Sequence, residues 1–343
     1  MNKLTKVGLT ALCGSLATVA AANAGSLAVT GGATVTYVSN ESAANGNPIG
    51  FSSGILFTGT GELDNGTSVT LTLSNTDASA YSAGSIKLGT PSLGTFTIDQ
   101  GAGGSGIDRY DDMMPTAWEE TTGTGRGTGL ATVGGVSGAA NIDWAISSDM
   151  LPDGMGLALA WTPRAQGLGA ADKGTSGSSS EGTGSGWDVA VEHSTLFDGL
   201  KVFAGYSQID QQVSAAGKKD DRQQTVIGAT YAIGGVTVGY QESHDAMAND
   251  GQGAVSFYDN QAWGISFSVN DDLSVSYGTH QSEKGTMTGS TTNVTTKATS
   301  LQMSYSMGGA SIKIAETSVD NGSYTSTTTF DRDGTTIALS LAF

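Results

Sequence analysis

The chain has 343 residues, 38% of them hydrophobic and only 14% charged, with 51 Gly and a formal net charge of −17. So acidic a balance excludes a nucleic-acid binder, because phosphate contacts need clustered Lys and Arg. Mean hydropathy is −0.10. After residue 24 no run approaches the ~18–20 apolar residues of a membrane helix.

The first segment carries Lys3 and Lys6, then a mostly apolar stretch from Val7 to Ala22, then Ala22-Asn23-Ala24. A positive n-region, a short apolar core and an A-x-A site make residues 1–24 an export signal cleaved before Gly25. Cleavage removes Lys3 and Lys6, taking the charge from −17 to −19, and also Cys13, the single cysteine. The exported chain then has neither a disulfide nor a thiolate metal site.

Beyond residue 25 apolar and polar residues alternate repeatedly. Leu27, Val29, Ala33, Val35 and Tyr37 open the series, followed by a less regular Ile55-Phe57 segment. Val69-Leu71-Leu73, Ile86-Leu88, Phe96-Ile98, Ile142-Trp144-Ile146 and Leu157-Leu159-Trp161 continue it. Then come Trp187-Val189-Val191, Val202-Ala204-Tyr206, Ile227-Ala229-Tyr231 and Val236-Val238-Tyr240. Trp263-Ile265-Phe267-Val269, Leu273-Val275-Tyr277, Leu301-Met303-Tyr305 and Ile312-Ile314 lead to a terminal strand bearing Ile337, Leu339, Leu341 and Phe343. A side-chain period of two gives each segment an apolar and a polar face, the pattern of a strand. The count is sixteen.

The connections alternate too. Asp64-Asn65-Gly66, Pro91 to Gly94, Asp149 to Gly156, Asp198-Gly199, Gly234-Gly235, Asn270-Asp271-Asp272 and Gly308-Gly309 have tight-turn chemistry. Longer polar loops fall around 39–49, 77–83, 101–139, 164–185, 210–221, 245–258, 283–297 and 320–331. Short connections at one end and long ones at the other predict an all-β, sixteen-stranded antiparallel transmembrane barrel, long loops outside and short turns periplasmic. Outward faces would then be apolar and inward faces polar. Trp144, Trp161, Trp187 and Trp263, with Tyr206, Tyr240, Tyr277 and Tyr305, are candidates for aromatic girdles at the membrane boundaries.

Export signal, sixteen strands, long third loop and terminal Phe together resemble a general bacterial porin of the alphaproteobacterial type. The best local match is Gly84-Ser85-Ile86-Lys87-Leu88-Gly89, a turn, Gly94-Thr95-Phe96-Thr97-Ile98-Asp99, and an acidic loop with Asp108, Tyr110, Asp111 and Asp112. The resemblance implies a single barrel domain over 25–343 in the outer membrane, acting as a passive diffusion channel for small hydrophilic solutes and ions. It further implies that 101–139 folds inward to narrow the pore, and that three copies form a homotrimer in outer-membrane lipid. Leu339, Leu341 and Phe343 would be read by the barrel-assembly machinery. The small residues Gly31, Gly32 and Ala33 offer a packing surface for the trimer.

A pore selects ions by the sign of its narrowest lining. Loop 101–139 holds Asp108, Asp111, Asp112, Glu119 and Glu120 against Arg109 and Arg126, a sum of −5 + 2 = −3. Alternation points Lys87, Asp99, Asp143, Asp188, Glu192 and Lys313 inward, and Lys87 is the single basic residue between 25 and 100. A porin of the family usually sets several arginines opposite its acidic loop; one lysine gives a weaker field. The constriction is therefore assigned to Lys87, Asp99, Asp108, Arg109, Asp111, Asp112, Glu119 and Glu120, with cation preference expected.

Other chemistry is sparse. Gly123 to Gly129 lacks the strand-to-helix setting and Lys-Ser/Thr pair of a phosphate loop. His193, His244 and His280 have no metal-ligand spacing, and there is no Gly-x-Ser-x-Gly elbow. The sequence calls for no cofactor. Loop carboxylates are the ligand type Ca²⁺ takes, but EF-hand spacing is absent and no metal site is assigned. Two other classes compete with the channel. An outer-membrane barrel enzyme (a protease or lipase) would depend on His280, and a secreted β-rich adhesin would explain the Gly, Ser and Thr content.

Overall fold

The computed structural model describes residues 25–39, 47–77, 82–124, 127–165, 183–211, 220–249, 251, 253–288 and 290–342. The expected export segment and cleavage site, Arg126, Phe343 and most of the loops at 164–185 and 210–221 lie outside the described residues. Sixteen strands follow in order: β1 (Ser26–Val38), β2 (Ile49–Glu62), β3 (Ser68–Thr76), β4 (Ala83–Thr90), β5 (Gly94–Gln100), β6 (Asn141–Ile146), β7 (Met155–Thr162) and β8 (Thr183–His193). The rest are β9 (Leu200–Gln211), β10 (Arg222–Ile233), β11 (Val236–Ala246), β12 (Val255–Ser268), β13 (Leu273–Thr288), β14 (Ser290–Met307), β15 (Ala310–Asp320) and β16 (Arg332–Ala342). Each pairs antiparallel with its chain neighbour, and β1 closes on β16 from Gly32↔Ala342 to Val38↔Thr336.

Closure is what makes so many backbone polar groups tolerable in lipid. Every strand has two partners, so no edge is left with unpaired N–H and C=O groups. The seven expected tight turns all join strands at one end of the barrel. Fourteen of the sixteen predicted alternating segments lie wholly inside one strand; the one from Trp263 runs one residue past β12, to Val269, and the last reaches Phe343, which lies outside the described residues.

The outer surface is the reverse of a water-soluble protein's. Phe51 is 69% exposed, Leu27 64%, Ile227 63% and Leu301 58%. Such side chains face the hydrocarbon, where their exposure carries no penalty. All eight candidate girdle aromatics sit on this face. Toward the long-loop end Trp161 opposes Trp187 and Tyr240 opposes Trp263. Ring centroids are 5.4 Å apart for Trp187–Tyr206 and 5.5 Å for Trp263–Tyr277. Near the short turns Phe96 stacks on Trp144 at 5.4 Å, and the Trp144 indole N–H donates to the Leu93 carbonyl at 2.8 Å.

One expected loop is absent. Residues 283–297 are not a long connection: β13 and β14 stay in register from Glu283↔Thr295 to Thr288↔Ser290. Thr and Val at 291, 292, 294, 295 and 296 favour the extended backbone. Its outward positions are polar as well, with Glu283, Thr295 and Lys297 where lower strands carry apolar residues, so the hairpin has no apolar alternation to announce it.

Candidate pore and its inner loop

The segment between β5 and β6 enters the barrel and stays on its inner wall. Its root, Gly101 to Gly106, donates backbone N–H groups to carboxylates in succession. Ala102 N–H reaches Asp99 Oδ1 at 2.9 Å, Gly104 N–H reaches Asp108 Oδ2 at 2.7 Å, and Gly106 N–H reaches Asp143 Oδ1 at 2.9 Å. A 3-10 turn, Gly106–Tyr110, follows, and Ile107 N–H reaches Asp188 Oδ2 at 3.1 Å. Strand register explains the spacing: Asp143 and Asp188 both oppose Ala160, from β6 and β8.

Beneath the turn lies an apolar seat. Ile107, Tyr110, Met114 and Val133 pack with the inward-facing Ala158, Ala190, Phe203, Val226 and Ala262, and Tyr110 stacks on Phe203 at 4.8 Å. A second patch joins Val136 to Ala160 and Ile209. The expectation of a uniformly polar inner face therefore fails over β7 to β12. The loop covers those positions, so apolar side chains there meet protein rather than water.

From the seat the loop runs on around the wall. Ala117 N–H donates to Ser276 Oγ at 2.8 Å on β13. Gln302 of β14 accepts the N–H groups of Trp118 and Glu119, both at 3.1 Å, and returns a bond to the Glu119 carbonyl at 2.7 Å. The Lys313 ammonium lies 5.8 Å from the centre of the Trp118 ring. Thr124 and Thr317 share a hydroxyl bond at 2.7 Å, and Arg332 of β16 donates to the Gly127 carbonyl at 2.5 Å. The return arm is held by the Tyr324 hydroxyl, which accepts Ala131 N–H at 2.7 Å, and by Gln224 Oε1, which accepts Gly135 N–H at 2.6 Å.

These contacts line the wall from β6 round to β16. Across the lumen the inward positions of β1 to β4 carry mainly hydroxyls, among them Thr34, Ser52, Thr58, Thr70, Thr72 and Ser85, together with Leu56 and Lys87. A cavity of about 510 Å³ lies on this side, lined by Leu56, Thr72, Ser85, Lys87, Thr97 and Asp99 among others.

The predicted charges divide into two groups. Asp99, Asp143 and Asp188 do point inward, but loop residues bury them, with Asp99 and Asp188 each 1% exposed. They hold the loop and are shielded from passing ions. Arg109 is likewise turned to the wall, in an ion pair with Asp143 at 2.6 Å. Lys87 and Asp112 are exposed, as is Glu119, whose carboxyl burial raises above its usual range while Lys313 partly offsets this. Asp108 is half-buried and accepts the Ser137 hydroxyl at 2.8 Å.

Asp111 is half-buried, and desolvation with Asp112 and Asp108 nearby pushes it up to about 6 against a Thr132 hydrogen bond. Glu120 tucks under the loop and accepts Met114 N–H at 3.2 Å. Burial, with Asp112 close by, pushes it up to about 8. At neutral pH the sum of −3 is thus less negative in effect than the residue count suggests.

Sequence reasoning missed Gln224, Gln302, Tyr324 and Arg332 as loop anchors; Gln224, Gln302 and Arg332 leave one trace, the inward parity of long polar side chains, and Tyr324, in the 3-10 turn Gly322–Tyr324, leaves none. His280 faces inward on β13 and is 6% exposed, its ring nitrogens without a protein partner, in a small space shared with Glu120 and Thr121. Among the described residues no His, Cys, Asp and Glu group of three or more could hold a metal ion.

A closed barrel with a lipid-facing apolar exterior and a partly lined aqueous lumen defines an outer-membrane diffusion channel. The family model described as Gram-negative porin matches residues 8–308, and the chain belongs to that family. OmpF of Salmonella typhi, solved in complex with daunomycin, is similar at 15% identity and TM-score 0.67, covering 92% of this chain and 97% of its own. A trimer form of Vibrio cholerae OmpT is similar at 12% and 0.64, covering 93% and 99%. An anion-selective porin from Comamonas acidovorans is similar at 13% and 0.63, covering 93% and 100%. No curated protein sequence matches this chain. It is a passive channel of the outer membrane.

Proposed function

We propose that this porin passes small hydrophilic solutes with a preference for cations, without enzymatic activity, and works as a homotrimer inserted after removal of residues 1–24. The observation carrying the preference is the asymmetry of the lumen. Asp111, Asp112 and Glu119 stand on the loop, and the β1 to β4 wall facing it offers Lys87 as its single inward basic side chain among the described residues. Fixed charges on low-dielectric walls act on an ion that keeps much of its hydration, so a net acidic rim favours cations. Reversal potentials across a planar bilayer in a KCl gradient are the test. The expected sign is that of K⁺ permeating faster; a chloride-preferring potential would defeat the assignment.

The loop carboxylates make this preference depend on pH. Glu120 is largely protonated at pH 7 and gains its charge as pH rises through about 8. Cation preference should therefore increase between pH 7 and 9, and fall from pH 7 to 5 as Asp111 is protonated near 6. Glu120→Gln should flatten the alkaline rise and leave the acidic fall. The linkage sign is adverse to docking: an acid with a raised bound-state pKa favours the docked loop at low pH and loses that contribution as pH rises toward about 8.

For the trimer, Gly31 and Ala33 lie on the outward face opposite Ile55 and Ser53 of β2, whereas Gly32 has inward parity. Cross-linking of detergent-extracted protein should stop at three copies. Leu339 and Leu341 face outward on β16 opposite Val35 and Ala33, which suits their proposed reading, with Phe343, by the assembly machinery.

A further inference from the structure

Two segments of the inner loop, one at its entry and one on its return, converge on a single wall carboxylate. Asp188 Oδ2 accepts Ile107 N–H and Val136 N–H, both at 3.1 Å. The residue before each donor is a glycine with left-handed φ, +56° at Gly106 and +52° at Gly135. A Cβ at either glycine would stand 2.0 Å from the same Asp188 oxygen. Both glycines are thus required twice, by backbone sign and by close approach to the carboxylate. The two donors are far apart in sequence, so this bond pair closes the segment into a ring against the wall, whereas the Ser137 hydroxyl bond to Asp108 joins the same two arms without reaching the wall. Gln302, Gln224 and Tyr324 each hold one stretch of loop only.

We propose that Asp188 is the positioning residue that fixes the aperture, with Gly106 and Gly135 as its matching cradle. Asp188 touches no solute. It acts by pinning the loop's entry and return arms to one point of the wall, so that the loop between them stays against the β7 to β16 side. Asp143 reinforces the entry arm through Gly106 N–H and Arg109, but it does not reach the return arm. This rests on the reading that the loop sets the width of the pore.

The test uses full-length protein in planar bilayers, with heat-modifiable gel migration reporting an intact barrel. Asp188→Ala should raise single-channel conductance by about twofold and add rapid flicker, because the freed arms enlarge and vary the lumen cross-section. Asp188→Asn should retain most of the parent behaviour, since its amide oxygen can accept the same two N–H groups. Gly135→Ala, made on the loop side, should mimic Asp188→Ala, and the double variant should add nothing to either single one. Parental conductance without flicker in Asp188→Ala and Gly135→Ala overturns the proposal. Should Asp188→Ala fail to fold, Gly135→Ala decides alone. Deleting residues 113–132 separates the two levels. A wide pore in the deletion with parental behaviour in the point variants removes only the role of Asp188, whereas a deletion that leaves conductance unchanged removes the aperture reading itself.

Discussion

Ile107→Asp should convert the channel to a wide, noisy pore while leaving the barrel folded. Ile107 is fully buried at the centre of the apolar seat. Truncating such a residue costs about 2–5 kcal/mol, and an unpaired carboxylate in its place adds several kcal/mol more. That exceeds what one docked loop segment can absorb, so the docked arrangement becomes the minor one. The strand ladder does not depend on it, because each strand's backbone bonds run to neighbouring strands. Undocking would expose Phe203 and Val226 as well as Ala158, Ala190 and Ala262 to the lumen, a hydration cost that the buried carboxylate has to outweigh. Single-channel recordings should show higher conductance, and gel migration should still be heat-modifiable. Asp112→Ala, at an exposed position, should shift ion preference without widening the pore. Unaltered conductance in Ile107→Asp would mean the seat does not hold the loop.

The second large effect separates the two faces of one strand. Ile265 is 39% exposed and lies between Phe267 and Trp263 along β12, opposite Val238 and Tyr277 on the flanking strands. Every one of those neighbours is apolar or aromatic, so Ile265→Arg puts a guanidinium into hydrocarbon. Its cost runs from about 1 kcal/mol near an interface to about 2–4 kcal/mol at the bilayer midplane. Ser266, one residue on, faces the lumen, where an arginine stays hydrated. Reversible urea unfolding in lipid vesicles should show Ile265→Arg destabilised by that amount and Ser266→Arg nearly unchanged. Ser266→Arg should instead reduce cation preference. Equal destabilisation by the two would contradict the assignment of faces.

The strands and tight turns were legible because lipid enforces a period of two and short turns need Gly, Asn or Asp. Where lipid stops, so does the signal. The upper β13–β14 hairpin is polar on its outward face too, and its Thr-rich sequence looks like a loop although the strands pair from Glu283↔Thr295 to Thr288↔Ser290. The lumen was only half legible. Parity placed Asp99, Asp143 and Asp188 inward, but parity does not say whether water or the loop lies over them. That depends on a contact between residues 107 and 188, which no local pattern encodes. The same holds for Ala158, Ala190 and Val226, whose inward position looks out of character until Ile107 and Tyr110 cover them. Arg109 looked like a counter-charge in the pore, and its ion pair with Asp143 shows it to be a loop anchor.

The account stands on a water-filled lumen running through a ring of strands whose outer face meets lipid. Adding purified, detergent-extracted protein to one side of a planar bilayer tests it most directly. Discrete conductance steps of uniform size, scaling with salt concentration and accompanied by sugar-dependent swelling of liposomes, are the expected result. A protein that inserts yet leaves the bilayer electrically silent, or that stays soluble without detergent, would contradict it.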